Sequence, residues 1–283
     1  MKHRTTTCCL QTFAINKTFN KAVSLYAAYT TGYKAPSELQ CPDFLHRRSE
    51  QLAQAGTRTP ARSGHQGQHP EQQAVLHWLS FNATFSDKFT AKTVQDASNT
   101  VTLYSYLVNG GNLNNNGLEL SARYNLVESK TAFMKLLRPF FNVTWSDFTY
   151  QDYRYEVAGS NGTKVVYDYS GNAVAGVAPL VLNAGIDADT RVGIYGNITY
   201  NHRSSMYYTS DGLNEAAPYN LVNAKLGFRK SIKDLSVDVF AGANNITGIQ
   251  YYNMVFVNQL PDAYIPAPRE INFFSGLNVA YRF

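Results

Sequence analysis

The sequence is poor in charge, nearly free of cysteine, and has no long apolar run. Charged residues make up 16% of its 283 positions, against about 25% in ordinary soluble domains. No apolar run approaches the ~18 to 20 residues that a spanning helix needs, so a membrane reading must rest on strands. Three cysteines, Cys8, Cys9 and Cys41, make no disulfide framework, and no CxxC or CxxH spacing supports a redox or metal site. The net charge of +5 is modest and spread out, with no basic stripe and no RNA-binding aromatic motif, which excludes nucleic acid as a partner. No Ser-His-Asp grouping falls on the ordered segments and no paired carboxylates face one another, so neither an enzyme nor a resident cofactor is expected. Met1 to Arg4 is basic, but Thr5 to Gln11 is too polar and short for a secretory core, and no small-residue cleavage site follows. The chain is therefore expected to be the tail of something longer, without a signal peptide of its own.

Aromatics are abundant instead, at 13%, with 20 Tyr and 16 Phe. The most telling stretch is Pro218 to Phe283. In its last segment Ile271, Phe273, Leu277, Val279, Tyr281 and Phe283 share one face of a strand, because side chains alternate at every residue. A soluble domain rarely ends on an exposed apolar strand, whereas a membrane barrel needs lipid-facing residues there and an aromatic at the interface.

A first hairpin is expected from Thr6 to Ile15 and from Lys21 to Tyr33, across a turn at Asn16 to Asn20. The pattern then collapses. Residues 41–78 are rich in Gln, His, Arg and Pro and follow neither a helical nor a strand period. A disordered insert, a His-rich metal segment and a reading-frame error compete for this stretch. His65, His69 and His77 lack any geometry that would converge them on a metal. Shifting the codons of Gly64 to Trp78 by one nucleotide permits GTKGNILNNKLFYTG, a strand end, an Asn-Asn turn and a new strand. The frame error is the preferred reading.

Order returns at about Leu79. Ser80 to Phe89 ends a strand, Lys92 to Thr100 reads as a polar loop, and Thr102 to Leu126 as one long segment with a glycine-marked bend or bulge. Val127 to Leu137 reads as a turn with room for a short helix, and Arg138 to Tyr150 as a strand. Further strands are expected at Val177 to Ile186, Val192 to Arg203, Tyr219 to Lys230, Leu235 to Ile246 and Glu270 to Phe283. With one strand credited to residues 41–78, there are eleven. Their connections alternate short and long, the grammar of periplasmic turns and extracellular loops, and this places the C-terminus on the periplasmic side. A soluble sandwich also alternates, but its strands are shorter, usually ~5 to 6 residues, and its polar faces carry more Lys and Glu. The expected fold is all-β, a partial antiparallel transmembrane β-barrel.

The segments VSLYAAYTTGYKAP, VNGGNLNNNGLELSARY, LRPFFNVTWSDFTY, AGANNITGIQYYNMVFVNQLPDAY and the ending LNVAYRF together resemble the C-terminal half of a TonB-dependent outer-membrane receptor. The likeness is to Bacteroidetes-type siderophore or nutrient receptors, and covers about Thr6 to Pro36 and Leu79 to Phe283. It implies half of a 22-stranded plugged barrel, an outer-membrane location, and capture of a scarce ligand such as an iron-siderophore complex by extracellular loops. The implied partners are outer-membrane lipid, the barrel-assembly machinery that reads an ending such as Leu277, Val279, Tyr281 and Phe283, and TonB through a plug region that has no counterpart here. A half-barrel alone is expected not to transport, since its unpaired edges would face lipid.

For ligand contact the loops offer Tyr153, Tyr155, Tyr167, Tyr169, Tyr207, Tyr208, Tyr251, Tyr252 and Phe256, because aromatic faces bind sugars and chelates with few polar anchors. Interface girdle or loop packing is the competing role for each. Asp152 with Tyr153, and Asp168 with Tyr169, imitate hard iron ligands, but solvated loop polarity explains them as well. Asn-x-Thr at Asn16, Asn82, Asn142, Asn161, Asn197 and Asn245 reads as chance in an Asn- and Thr-rich face. A barrel enzyme and an adhesin-like structural barrel are the alternatives from other classes.

Overall fold

The computed structural model describes residues 12–19, 24–32, 50–58, 74–86, 89–95, 102–109, 111–158, 164–259, 264–268 and 270–282, with backbone alone for 50–58, 89–95, 102–109, 155–158 and 164. All regular structure among them is strand. β1 (Thr12–Thr18), β2 (Ser24–Gly32), β3 (Glu50–Arg58) and β4 (Ala74–Phe85) open a wall. A hairpin of β5 (Phe89–Gln95) and β6 (Thr102–Asn109) precedes β7 (Asn112–Tyr124), and the two-residue β8 (Val127–Glu128) folds back onto β9 (Met134–Asp152). The hairpin β10 (Arg154–Ala158) and β11 (Lys164–Asp168) leads to β12 (Leu180–Thr190) and β13 (Ile194–Arg203). β14 (Met206–Tyr207) and β15 (Glu215–Ala216) stand before β16 (Tyr219–Ile232) and β17 (Leu235–Asn244), and β18 (Tyr252–Val255) with β19 (Tyr264–Pro266) stands before β20 (Asn272–Tyr281).

The wall runs β1-β2-β3-β4-β7-β9-β12-β13-β16-β17-β20, eleven strands in the expected order. Every neighbouring pair is antiparallel, with uninterrupted registers such as Leu235↔Tyr281 to Asn244↔Asn272. Among the described residues, β1 and β20 each have a neighbour on one side only, so the sheet is open at both edges. The remaining hairpins all rise from the end that carries the long connections.

Three local expectations need correcting. Thr102 to Leu126 is not one segment: β6 belongs to a separate hairpin with β5, whose own residues replace part of the expected 92–100 loop. The break falls at Gly111, with φ of +77°, where a Cβ would collide with the carbonyl of Asp152, and the register slips between Asn112 and Leu113. Only glycine fits both demands. The 127–137 connection holds no helix; Val127 and Glu128 pair with Leu137 and Leu136, and the Ser129 hydroxyl accepts the amides of Thr131 and Ala132. Too few residues separate β7 from β9 for a helix to gain more than its costly first turn. Within 41–78, Glu50–Arg58 lies between β2 and β4, and β4 begins at Ala74 rather than Leu79.

The wall's two faces differ in chemistry. On one, cross-strand rows such as Ala122–Phe141–Ala184–Tyr200 and Ile186–Ile198–Ala224–Ala243–Phe273 are apolar. Their large members are open rather than packed, Phe273 at 80% and Leu277 at 64% exposure. On β9 this stripe runs from Leu137 to Trp145, eight steps or about 27 Å of strand, close to the ~25 Å apolar band of an outer-membrane barrel. Beyond Trp145 the same face turns polar at Asp147, and Asn82 donates to Asn114 at 2.9 Å.

The other face is built from amides, ion pairs and rings seated on glycines. Asn201 donates to Asn183, Asn223 to Asn201 at 3.0 Å, and Asn197 to Asp187 at 2.6 Å. Directly across the strands, Phe81 covers Gly117, Phe140 covers Gly185, Tyr195 covers Gly227, Phe274 covers Gly242 and Phe240 covers Gly276. Each ring occupies the volume that a Cβ on its glycine would need.

Candidate functional site

The long connections 153–179, 204–218 and 245–271 come together at the end of the wall away from β20's last residues. Their meeting point is Ser210, 2% exposed. Its hydroxyl accepts from the Asn258 amide at 2.9 Å and shares a hydrogen bond with the Tyr150 hydroxyl at 2.9 Å. Its N–H donates to the Asn258 side-chain oxygen at 2.7 Å, and its carbonyl accepts from the Asn172 amide at 3.0 Å. Asn258 therefore satisfies both the hydroxyl and the amide of one residue, from 48 positions away. Backbone bonds repeat the linkage: Asn258 N–H donates to Tyr208 at 2.8 Å and Gly176 N–H to Tyr207 at 2.7 Å.

Two small apolar clusters support this lock. Leu113, Tyr150, Tyr153 and Val174 are buried together, with Phe85, Phe148, Tyr169 and Val177 against them. Tyr208 and Ala216 form the second, with Met206, Val255 and Tyr264 packed on it. Tyr264 donates its hydroxyl to Tyr208 at 2.6 Å, and its ring lies 4.1 Å from that of Tyr252, nearly parallel. Burial, then the Tyr208 hydroxyl, push the Tyr264 phenol up to about 12 from 10.0. Because the folded value is the higher one, its contribution to loop stability is complete below pH 10.0 and is lost as pH rises through about 12. In an absorbance titration of the tyrosines, the difference between the chain and Tyr264→Phe is expected to show a phenol ionising at about pH 12.

At the base of the β10–β11 hairpin, Arg154 donates to Asp168 at 2.7 Å. Hydrogen bonds from the Ser170 side chain and amide, with Arg154 beside them, hold the Asp168 carboxyl below its ordinary 3.8. A depressed carboxylate stabilises its surroundings above the unfolded value and ceases to do so as pH falls through the folded one. Amide protection in β10–β11 is therefore expected to hold at neutral pH and to decline below 3.8, read by hydrogen exchange across an acid series.

On the polar face just beneath the loops, Arg203 stacks over Tyr219 at 4.5 Å, and Tyr219 meets Tyr251 at 5.0 Å. The Arg203 Nε is buried without a hydrogen-bond partner. Deeper down the same face, Arg138 pairs with Asp187 at 2.9 Å at the side of a polar cavity of about 450 Å³ that His77, Ser121, Arg123 and Asn142 also line. Further still, Arg229 pairs with Asp238 at 2.9 Å, Tyr195 donates to Asp238 at 2.7 Å, and Lys225 lies 4.1 Å from the Phe240 ring centre. Among the described residues no three of His, Cys, Asp and Glu converge as a metal site would require.

The aromatic residues singled out in the sequence fall into two groups. Tyr153 and Tyr208 are buried, at 2% and 6% exposure. The Tyr153 ring packs between Tyr150 at 4.8 Å and Tyr169 at 5.4 Å, and Tyr208 meets Tyr264 at 5.3 Å. Tyr167, Tyr207 and Tyr252 are exposed, while Tyr169, Tyr251 and Phe256 are half-buried. The Tyr155 side chain lies outside the described residues; its backbone pairs with Tyr167. Of the C-terminal set, Leu277, Val279 and Tyr281 stand on the open apolar face, and Phe283 lies outside the described residues. Sequence reasoning missed Ser210, Asn258, Asn172 and Arg203, whose roles depend on contacts between loops and on burial that no local pattern announces.

Comparison with known proteins agrees with this architecture. Residues 80–246, more than half of the chain, match the family described as TonB dependent receptor-like, beta-barrel. Among solved structures, the fold is similar to the siderophore receptor PiuA from Acinetobacter baumannii, with TM-score 0.70 and 13% identity over 95% of this chain and 36% of that one. It is similar to the ferric citrate transporter FecA, with TM-score 0.69 and 12% identity over 95% and 38%. The ferric yersiniabactin uptake receptor FyuA from Yersinia pestis gives TM-score 0.61 and 16% identity over 97% and 37%. The chain thus spans a little over a third of the length of these structures. An open eleven-stranded wall with an apolar outer face, a polar inner face and interlocked loops at one end, together with that match, shows that the chain belongs to the TonB-dependent receptor β-barrel family of the outer membrane.

Proposed function

We propose that this chain supplies the C-terminal wall and the ligand-receiving loops of an outer-membrane receptor that takes up a scarce metal chelate, with an iron-siderophore complex as the leading candidate. The observation that carries the reading is the mouth itself. Arg203 carries a positive charge on the polar face beneath the loops, stacked on Tyr219, which in turn meets Tyr251, and Tyr207 and Tyr252 are exposed in the loops above. An anionic, planar chelate fits such a set. The names of similar structures support the same class: a siderophore receptor, a ferric citrate transporter and a copper transporter. Nothing in this set activates a nucleophile or moves a proton, so uptake is the activity it suits.

Transport requires more than this wall. An odd number of strands leaves β1 and β20 running in the same direction, so antiparallel closure needs a further odd-numbered set of strands between them. TonB would act through a plug inside the completed barrel, and the assembly machinery would read the open face of β20. Deleting the locus is expected to abolish iron-55 uptake from at least one ferric siderophore under iron limitation; unchanged uptake across catecholate, hydroxamate and citrate chelates would defeat the proposal. In the complete receptor, Arg203→Ala is expected to weaken chelate binding about tenfold, or ~1.4 kcal/mol, with barrel folding unaffected. We further propose that residues 41–78 are read out of frame, which resequencing the locus tests directly.

A further inference from the structure

Directly on the bilayer-facing side of the wall lies a trough of about 560 Å³. Its floor is Gly196, Ala224 and Ala241, and its sides are Ile198, Leu226 and Phe273. Two adjacent cross-strand rows produce it: Ile198, Ala224, Ala243 and Phe273 in one, Gly196, Leu226 and Ala241 in the next. Ala224, Ala241 and Ala243 in the two middle strands, with Gly196 beside Leu226, lie low between the larger Ile198, Leu226 and Phe273 and make a depression rather than a smooth barrel surface. Among the described residues no neighbouring element covers it, and its lining is almost wholly apolar.

A second, independent feature stands at the periplasmic end of the same strand. Lys230 follows Leu226 by four residues on the same face, about 13 Å along β16 at ~3.3 Å per residue. It is exposed and forms no ion pair among the described residues. Lys17 and Lys135 also stand exposed at this end of the wall. The nearby strand carboxylates Asp187, Asp189 and Asp238 occupy the polar face instead, where Asp187 and Asp238 are paired with Arg138 and Arg229. Asp234, exposed in the following turn, stands next to the exposed Lys233, so with Lys230 the local balance is positive; net positive charge at interface depth attracts anionic headgroups, and a lysine stem can lie along apolar surface while its ammonium reaches the headgroup layer.

We propose that the trough and Lys230 together form a docking site for one anionic phospholipid of the periplasmic leaflet. One acyl chain lies in the trough, and the phosphate meets the Lys230 ammonium. The commitment to phospholipid follows from continuity with the lipid-facing band and from the charge at its lower margin. The site rests on the outer surface of the wall, so failure of the chelate-uptake reading leaves it standing.

The test is native mass spectrometry of the complete receptor folded in detergent micelles and titrated with dioleoylphosphatidylglycerol or dioleoylphosphatidylcholine. One tightly retained phosphatidylglycerol is expected, with weaker retention of the zwitterionic lipid. Lys230→Gln should reduce retention about fivefold, and Ala241→Phe, which fills the trough from an outward-facing position, should abolish it. Far-UV circular dichroism checks that each variant keeps its sheet. Glycerol 3-phosphate should fail to compete, since it lacks the chain. Equal retention of both lipids, unaltered retention in either variant, competition by the headgroup alone, or a folded receptor that holds no lipid would overturn the assignment.

Discussion

Gly227→Val will cost about 3 kcal/mol of wall stability, at the upper end of what overpacking usually does. Tyr195 sits directly across the strand pair with its ring in the space where the valine side chain must go. The ring is tethered at its far end. Its hydroxyl is held by Asp238 at 2.7 Å, and the Arg229 guanidinium lies 4.8 Å from its centre. Moving it breaks a part-buried hydrogen bond and uncovers the Arg229–Asp238 pair as well. Denaturant midpoints of the complete receptor in lipid vesicles measure the loss. Adding Tyr195→Ala to the valine variant should be clearly less damaging than the sum of the two single changes, because the small residue vacates the contested volume. Strict additivity would show that the ring and the glycine do not meet as described.

Ser210→Ala will release the loops without harming the wall. The substitution keeps the side chain's volume close but removes the hydroxyl that Asn258 and Tyr150 both engage. Two polar groups are then left short of partners in a buried setting, at about 1 to 3 kcal/mol. Amide exchange in 204–218 and 247–259 should accelerate about ten- to hundredfold, while β16 and β17 keep their protection. Slowed or unchanged loop exchange would mean that the apolar clusters around Tyr150 and Tyr208 hold the mouth closed on their own. Asn258→Ala should loosen the same loops, since that residue also accepts the Ser210 amide.

Much of the wall was legible because strand alternation is a local signal. Leu118, Leu120, Ala122 and Tyr124 declare one face of β7 without help from any neighbour, and β20 declares its own through Phe273, Leu277 and Val279. The 102–126 stretch misled because β6 and β7 are both good strand sequence, and only the collision at Gly111 separates them. The loop tyrosines were legible as a set but not individually. Tyr207 and Tyr208 are adjacent, yet one is open and the other is covered by Tyr264, a partner 56 positions later.

The sequence by itself determined the class: charge too sparse for an ordinary soluble domain, strands long enough to cross a bilayer, alternating connection lengths and a greasy last strand. These are properties of composition and period, which each segment carries alone. Tertiary structure alone decided that the strand credited to residues 41–78 spans Glu50–Arg58, that rings seat on glycines one strand away, and that Ser210 joins three loops. It also decided that Arg203 is left with an unused donor. Those outcomes depend on registers and burial set by partners tens of residues distant, and no local pattern encodes them.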